Sequence, residues 1–414
     1  MASHSAYLDD RETRSPDERA ARQWEALRAA LAHAKARSRY WAGVLADIDP
    51  EAIQGPADLA RIPLTRKSDI PTIQAQGVLG GMEAAPMGEL SRIFLSPGPI
   101  YEASEAITDF WRFGRAMWAS GMRPGALVHN TFSYHLTPAG MMVDSGARAI
   151  GCSVFPAGVG NTEMQLDAIQ QLRPSYYGGT PSFLKMLLDK GRELGKDTSS
   201  LVAASVGGEP LSSSLRQEVE AQGVKVSQSF GTAELGLVAY ESEAREGLIA
   251  DEDVLIEVVR PGSGDPLPDG EVGEMVVTVL RNASFPMIRI ATGDMTAIMP
   301  GASPCGRTAP RIKGWMGRAD QRTKIKGMFV APEQINQLMQ RHPEIQRARL
   351  VVTRENEQDR MVLSAECDSS DSAFAEKVTE TLQVVTKLRG GVELVAPGSL
   401  PNDGKVIADE RQFD

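Results

Sequence analysis

The sequence predicts an α/β protein: a large N-terminal α/β domain built on parallel sheet, a β-rich subdomain within it, and a small mobile α+β C-terminal domain. Three observations predict this. From about residue 93 to 229, short apolar runs alternate with helical stretches, the rhythm of parallel strands joined by crossover helices. After about residue 235 the helical stretches cease, and Val254–Val259 and Glu274–Val279 alternate like antiparallel strands around the Pro/Gly-rich turn PGSGDPLPDG (261–270). Near Gly317 a last mixed unit begins. With 414 residues, more than one domain is expected. The expected boundaries are 1–318 for the large domain, with the β-rich part at about 237–300, and 319–414 for the small one.

The elements follow in order. Residues 16–40 carry apolar positions at three-to-four spacing and read as a helix. DLARIPLTRKSDI ends in a helix start that Thr65 or Ser68 could cap. Ile93–Ser96 reads as a strand and Glu105–Ala119 as a helix. Strands follow at Ala126–His129, Ala149–Val154, Ser175–Gly178, Val202–Val206 and Val224–Ser229. The helices between them are Pro138–Ser145, Thr162–Leu172, Ser182–Gly191 and Ser212–Gln222. Glycine-rich turns follow several of these strands, where open α/β sheets place ligands. The last unit holds a helix at Pro332–Arg341, strands at Ala348–Thr353 and Arg360–Ala365, and a helix at Ala373–Leu388.

Composition excludes several classes. The net charge is −10 and no long basic block opposes it, which argues against a dedicated nucleic-acid binder. Three separated cysteines exclude a disulfide framework and a cysteine-based zinc site, and fit a reducing, cytoplasmic compartment. The polar, acidic N-terminal segment lacks the apolar run of a secretion signal, and no apolar run is long enough to span a membrane. The sequence also lacks G-x-S-x-G, a complete G-x-x-x-x-G-K-[ST] and a strand-to-helix G-x-G-x-x-G.

Several turns carry chemistry-bearing side chains. In SFGTAELG (229–236) an aromatic, a hydroxyl and a carboxylate fall within five residues: Phe230, Thr232 and Glu234, with Gly231 between. An aromatic ring stacks on a base, and a carboxylate holds Mg2+ beside phosphates. A core-filling Phe230 in a plain turn is the alternative. Gly179, Thr180 and Pro181 in YYGGTP, and Glu209 and Pro210 in GGEP, form turns that let backbone approach a ring or phosphate. Asp294 ends PMIRIATGD, and Arg318 and Asp320 lie near the expected domain boundary. Lys405 lies in LPNDGKV near the C-terminus. The segment HNTFSYH offers Phe132, Tyr134 and His135, with Met141 downstream, as a mostly apolar lining that suits a small aromatic or short branched acid, an aromatic one being expected. A buried, hydrogen-bonded histidine is the blander reading of both His129 and His135.

These motifs, in this order, resemble the phenylacetate–coenzyme A ligase group of the adenylate-forming superfamily, together with RIPLTRKSDI (61–70) and GRTAPRIKGWMGRADQRTKIKGMFVAPEQI (306–335). The resemblance implies an AMP-forming ligase that uses ATP, Mg2+ and coenzyme A on a small carboxylic acid. It implies adenine-side contacts from Gly179, Thr180 and Pro181, and a turn beside the nucleotide at Glu209 and Pro210. Phe230 stands where the family usually has a tyrosine. Thr232 is implied at the α-phosphate and Glu234 as the Mg2+ ligand. Asp294 is implied at the ribose, Arg318 near ribose and phosphate, Asp320 as the hinge, and Lys405 as the adenylating lysine. A homodimer is a further family expectation.

One segment departs from the pattern. The family's Ser/Thr/Gly-rich phosphate loop ends in Gly-Lys; here the place is taken by LSPGPIYE (95–102). Only Ser96 and Gly98 keep the loop's character, two prolines remove N–H donors, and Glu102 adds a negative charge. Three outcomes stay open: adenylation with other groups, use of another activated donor, or a catalytically impaired homologue that binds AMP or acyl-adenylate. A carrier-protein acceptor in place of coenzyme A is also open.

Overall fold

The computed structural model describes residues 5–259, 264–319, 322–355, 358–368, 371–401 and 406–411. The chain divides into two compact units, Met1–Ala319 and Asp320–Asp414.

The first unit opens on α1, Pro16–Arg37, with proline in its first turn and Ser15 accepting from Glu18 N at 3.2 Å. Leu27, Leu31 and Ala34, at helical spacing, are its buried stripe. The helix stops at Ser38, whose hydroxyl caps α2, Arg39–Val44, so the expected single helix is two. A short α3, Pro56–Leu59, precedes strand β1, Thr65–Arg66, and α4, Ile70–Gln74. Neither Thr65 nor Ser68 caps α4. Thr65 lies in β1, where its hydroxyl meets Tyr40 Oη at 2.9 Å, and Ser68 Oγ bonds Asp69. Strands β2, Arg92–Ser96, and β3, Ile100–Ser104, form an antiparallel hairpin.

The helix expected over 105–119 is only α5, Phe113–Ala119. Asp109 and Arg112 adopt left-handed backbone (φ +48° and +68°) that breaks the helical path. Trp111 O instead accepts from Leu237 N at 2.9 Å, tying the segment to a distant strand. Asp109 is buried. One carboxylate oxygen accepts from Gly114 N at 2.9 Å and the other has no hydrogen-bond partner. Burial, reinforced by the nearby Asp251 charge, pushes its pKa up to about 6. An unfolded aspartate ionises near 3.9, so between these values the unfolded chain sheds a proton that the fold retains. Stability contributed by the protonated form is therefore present below about pH 4 and lost as pH rises to 6. Asp109→Asn, which tolerates the left-handed backbone, should flatten that slope, by about 2–3 kcal/mol at most. Urea unfolding at pH 4, 5, 6 and 7 measures it; an unchanged slope refutes the assignment to Asp109.

The parallel region runs β4, Leu127–Asn130; α6, Ala139–Ile150; β5, Ser153–Pro156; α7, Thr162–Leu172; β6, Tyr176–Gly179; α8, Pro181–Glu193; β7, Ala203–Val206; α9, Ser213–Glu220; and β8, Lys225–Thr232. The strand expected at Ala149–Val154 begins later. Helix α6 holds through Ile150 and ends on Gly151 at φ +90°, a left-handed cap that glycine adopts without strain. Leu166, Leu184, Leu188, Val206 and Val219 share one apolar cluster; Met117, Val128, Val143 and Tyr176 share another.

Strand β8 turns back into β9, Gly236–Glu241, followed by β10, Leu248–Ala250; β11, Val254–Val259; β12, Gly273–Val279; β13, Ile290–Thr296; β14, Ile298–Met299; and β15, Arg311–Ile312. Two sheets result. The nine-stranded sheet has the order β14-β15-β10-β9-β8-β7-β6-β4-β5, parallel from β8 to β5 and antiparallel beyond β8. The second sheet has the order β1-β13-β12-β11, with β11 and β12 antiparallel, as their alternation suggested.

The second unit contains β16, Thr323–Ile325; β17, Met328–Val330; α10, Pro332–Arg341; β18, Arg347–Glu355; β19, Gln358–Glu366; α11, Ser372–Thr386; β20, Gly391–Val395; and β21, Ile407–Asp409. A four-stranded sheet, β20-β19-β18-β21, packs with Leu338 of α10 and with Val378 and Leu382 of α11 in one core. No described helix is long and apolar enough to cross a membrane.

Candidate active site

Strands β4, β6, β7 and β8 are parallel neighbours, so their C-terminal ends lie along one sheet edge. The turns after β6 and β7 are joined. Gly207 N donates to Gly179 O at 3.2 Å, and the Glu209 carboxylate accepts from Ser182 N in the first turn of α8 at 2.8 Å. Glu209 thus satisfies an open donor at a helix N-terminus. Pro181 starts α8 with Thr180 before it, and Tyr177 Oη, which donates to Thr180 O at 3.0 Å, braces the turn. A Cβ on Gly179 would lie 2.0 Å from Thr131 Oγ1, so only glycine fits. Pro210 follows Glu209, half-buried.

The next edge turn joins β8 to β9. Gly231 and Gly236 come so close that a Cβ on Gly231 would meet Gly236 O at 2.6 Å. Thr232 Oγ1 accepts from Leu235 N at 3.3 Å. Arg112 fixes the turn from behind, donating to Leu235 O and to Leu237 O (3.0 Å) while pairing with Asp251 at 2.9 Å. Phe230 is half-buried and packs on the core, its outer part exposed. Glu234 is buried. Its Oε1 lies 2.8 Å from Lys67 Nζ, and its Oε2 has no hydrogen-bond partner.

Sequence reasoning did not single out Lys67. It follows β1, which pairs in parallel with β13 through Thr65↔Ile290 and Arg66↔Ala291. The same β13 carries Asp294. Asp294 Oδ1 accepts from Arg318 Nη1 at 2.9 Å and from Trp315 Nε1 at 3.0 Å, so Asp294 and Arg318 are brought together. The chain of contacts from Glu234 to Lys67, β1, β13 and Asp294 links turns far apart in sequence. The only sequence signal for Lys67 was its place in RIPLTRKSDI, where Arg61 and Arg66 look equally exposed.

The segment 95–102 is the β2–β3 hairpin, not an open loop. Ser96 is buried and its hydroxyl donates to the Glu102 carboxylate, while Gly98 sits at the exposed tip between two prolines. Ser96, read as keeping a phosphate loop's character, is engaged with Glu102. Burial pushes the Glu102 pKa up to about 8, and the Glu234 charge adds to this; the Ser96 hydrogen bond and the Lys67 charge oppose it.

Tyr134 Oη accepts from Asn130 Nδ2 at 2.7 Å, and Phe132 packs against the β4–α6 core. Met141 packs against Phe94, Phe110, Trp111 and Met142. His135, expected to line the same pocket, is exposed, and its backbone N–H closes a turn on Ser133 Oγ at 3.1 Å. His129 is buried, its Nε2 2.8 Å from Gln165 Oε1 and its ring stacked on Phe155, so it serves the fold. Asp320 and Lys405 lie outside the described residues. Among the described residues no group of three or more His, Cys, Asp or Glu could hold a metal. The unpartnered, buried Glu234 Oε2 nevertheless suits one ligand position for a hard cation.

Glycine turns on a parallel edge, a buried carboxylate in the last of them, and an Asp–Arg pair on the adjoining sheet define an adenylate-forming enzyme. The family model described as AMP-binding enzyme matches residues 134–280, and that of the AMP-binding enzyme C-terminal domain matches 327–411. A phenylacetate–coenzyme A ligase of Thermus thermophilus is 33% identical over 91% of this chain and 87% of its own. One of Aromatoleum evansii is 30% identical over 82% and 79%. The solved structure of 2-hydroxyisobutyryl-CoA ligase with 2-HIB-AMP and CoA in the thioesterification state has a TM-score of 0.87 at 26% identity, covering 100% of this chain and 94% of that one. In the postadenylation state with 2-HIB-AMP the same ligase has a TM-score of 0.74, covering 99% and 94%, again at 26% identity. The chain belongs to the AMP-binding enzyme family, in its phenylacetate–coenzyme A ligase group.

Proposed function

We propose that the chain activates a small aromatic carboxylic acid with ATP and transfers the acyl group to coenzyme A. The observation that carries this reading is the Lys67–Glu234 pair at 2.8 Å, set in the β8–β9 turn beside the glycine turns of the parallel edge. The family's loop lysine is absent, and Lys67 supplies a cation from a different segment. The impaired-homologue alternative rested on the degenerate loop at 95–102 and gains no support from relatives that are named ligases.

The substrate carboxylate oxygen attacks the α-phosphorus, and the bond to the β-phosphate oxygen breaks, releasing pyrophosphate. The coenzyme A thiol then attacks the acyl carbon, AMP leaves, and the thiol proton passes to solvent. A carboxylate is a poor acyl donor, while a mixed anhydride with phosphate is a good one. In this reading Thr232 donates to the α-phosphate, Lys67 and Lys405 offset charge on phosphate oxygens, and Asp294 holds the ribose with Arg318 beside it. Gly179, Thr180 and Pro181 wall the adenine, and Phe230 stacks on it. Glu234 would hold Mg2+, which when bound neutralises phosphate charge. Phe132, Tyr134, Met141 and the neighbouring Phe110 and Trp111 favour an aryl acid.

Pyrophosphate release measured with phenylacetate, benzoates, 2-hydroxyisobutyrate and short alkyl acids tests this. Turnover dependent on ATP and greatest with an aryl acid is expected. Absence of turnover with every acid, in protein that binds ATP, would sink the ligase reading; preference for an alkyl hydroxy acid would sink the aryl assignment alone. Product analysis with coenzyme A and with a carrier protein identifies the acceptor.

A further inference from the structure

We propose that Glu102 is a second carboxylate ligand for the divalent cation that accompanies the nucleotide, so that Glu102 and Glu234 together build a metal site where a basic phosphate loop would otherwise stand. This rests on the reading of Glu234 given above and extends it to a residue that replaces basic character with acidic.

The two carboxylates arrive from different elements and are held rigidly. Glu102 is in β3, opposite Phe94 of β2, and its backbone neighbour Tyr101 is clamped from both sides by one side chain. Gln74 Nε2 donates to Tyr101 O at 2.7 Å, and Tyr101 N donates to Gln74 Oε1 at 2.8 Å. Gln74 ends α4, the helix that follows Lys67, whose ammonium pairs with Glu234. Ile100 and Ala103, flanking Glu102, share a core with Leu235, the residue after Glu234. The α4–β3 clamp ties β3 to the segment that carries Lys67, and Glu102 lies near enough to Glu234 and Lys67 for their charges to act on it.

Both side chains are taken from water. Glu102 is 3% exposed and Glu234 5%. Glu102 Oε1 accepts from Ser96, and Glu234 Oε1 faces Lys67, but Oε2 of each has no hydrogen-bond partner. Buried carboxylate oxygens are ordinarily satisfied, and two unsatisfied ones on side chains that act on each other call for an absent partner. Their charges act on each other, and Lys67 acts on both. Lys67 is matched by Glu234, so the pair offers a polyphosphate no spare positive charge. A divalent cation supplies it, and oxygen donors are what a hard cation such as Mg2+ takes. The prolines of 97–99 then cost nothing essential, since the phosphates are held through the cation and not through loop N–H groups.

The test is binding of Mn2+, read by electron paramagnetic resonance, to the full chain with the non-cleavable analogue α,β-methylene-ATP. Glu102→Gln keeps the size of the side chain and an acceptor for Ser96. It is expected to weaken Mn2+ binding about tenfold or more, with AMP binding without metal unchanged. Glu234→Gln should weaken Mn2+ binding at least as much. If Glu102→Gln binds Mn2+ like the parent while Glu234→Gln does not, Glu102 is only a buried acid and the proposal is overturned, with the function reading intact. If the parent itself takes up no Mn2+ with the analogue, both readings of this site fall. Should Glu102→Gln not fold, Glu102→Asp, which retains charge but draws it back, is measured in the same way; unaltered Mn2+ affinity there overturns the proposal.

Discussion

Replacing Lys405 by alanine is expected to slow acyl-adenylate formation by about 10²–10³-fold, the usual loss when one donor to a developing oxyanion is removed. The prediction rests on the place of Lys405 in LPNDGKV, the segment that resembles the family's adenylating lysine. Attack on the α-phosphorus raises negative charge on its oxygens, and an ammonium group that contacts them only in that state lowers the barrier without tightening ground-state binding. The loss should therefore fall on the rate, with the KM for ATP little changed. The second half-reaction provides the control. Supplied with chemically prepared acyl-adenylate and coenzyme A, the variant should form thioester at the parent's rate. Equal loss in both half-reactions would mean that Lys405 serves the fold of the small domain, and no loss in either would remove its assignment.

The second large effect is expected at Lys67. Lys67→Met should lower stability by about 3 kcal/mol, because it leaves Glu234 charged, buried and without its ion-pair partner. It should also slow adenylation by about 10²-fold, as a cation near the phosphates is lost. A double variant isolates the stability effect alone, because Glu234→Gln also removes the proposed Mg2+ ligand and is expected to be slow in its own right. In Lys67→Met with Glu234→Gln the uncompensated charge is gone, so most of the lost stability should return while adenylation stays slow. Urea unfolding and pyrophosphate release on the single and double variants decide it. Recovery of activity together with stability would show that the pair is structural only. A single Lys67→Met variant with full activity would remove Lys67 from the nucleotide site, and leave the missing loop lysine without a substitute.

Local pattern made much of the fold legible. The alternation of strands and helices from Leu127 to Thr232 follows from periodicity and from glycines at strand ends, both of which act over a few residues. Helix α8 shows why. Pro181 opens it, Leu184, Leu187 and Leu188 repeat on one face, and each of these signals is local. The stretch 105–112 failed for the opposite reason. Phe110 and Trp111 look like the apolar stripe of a helix, but tertiary docking uses them: Trp111 O takes the N–H of Leu237, and left-handed Asp109 and Arg112 turn the chain to allow it. The hairpin at 92–104 was half legible. The first strand was visible, but nothing local reveals that Glu102 folds back onto Ser96.

The candidate site divides in the same way. The sequence by itself determined the repertoire: the glycine turns, Phe230, Thr232, Glu234, Asp294 and the tail lysine, recognisable because backbone close approach and the order of motifs are written in residue types. Only the tertiary structure decided which charges meet. It set Lys67 against Glu234, closed Ser96 onto Glu102, paired Asp294 with Arg318 and turned His135 outward. Coulomb interaction and desolvation depend on separation in space and on burial, and chain positions as distant as 67 and 234 carry neither until sheets and turns bring them together.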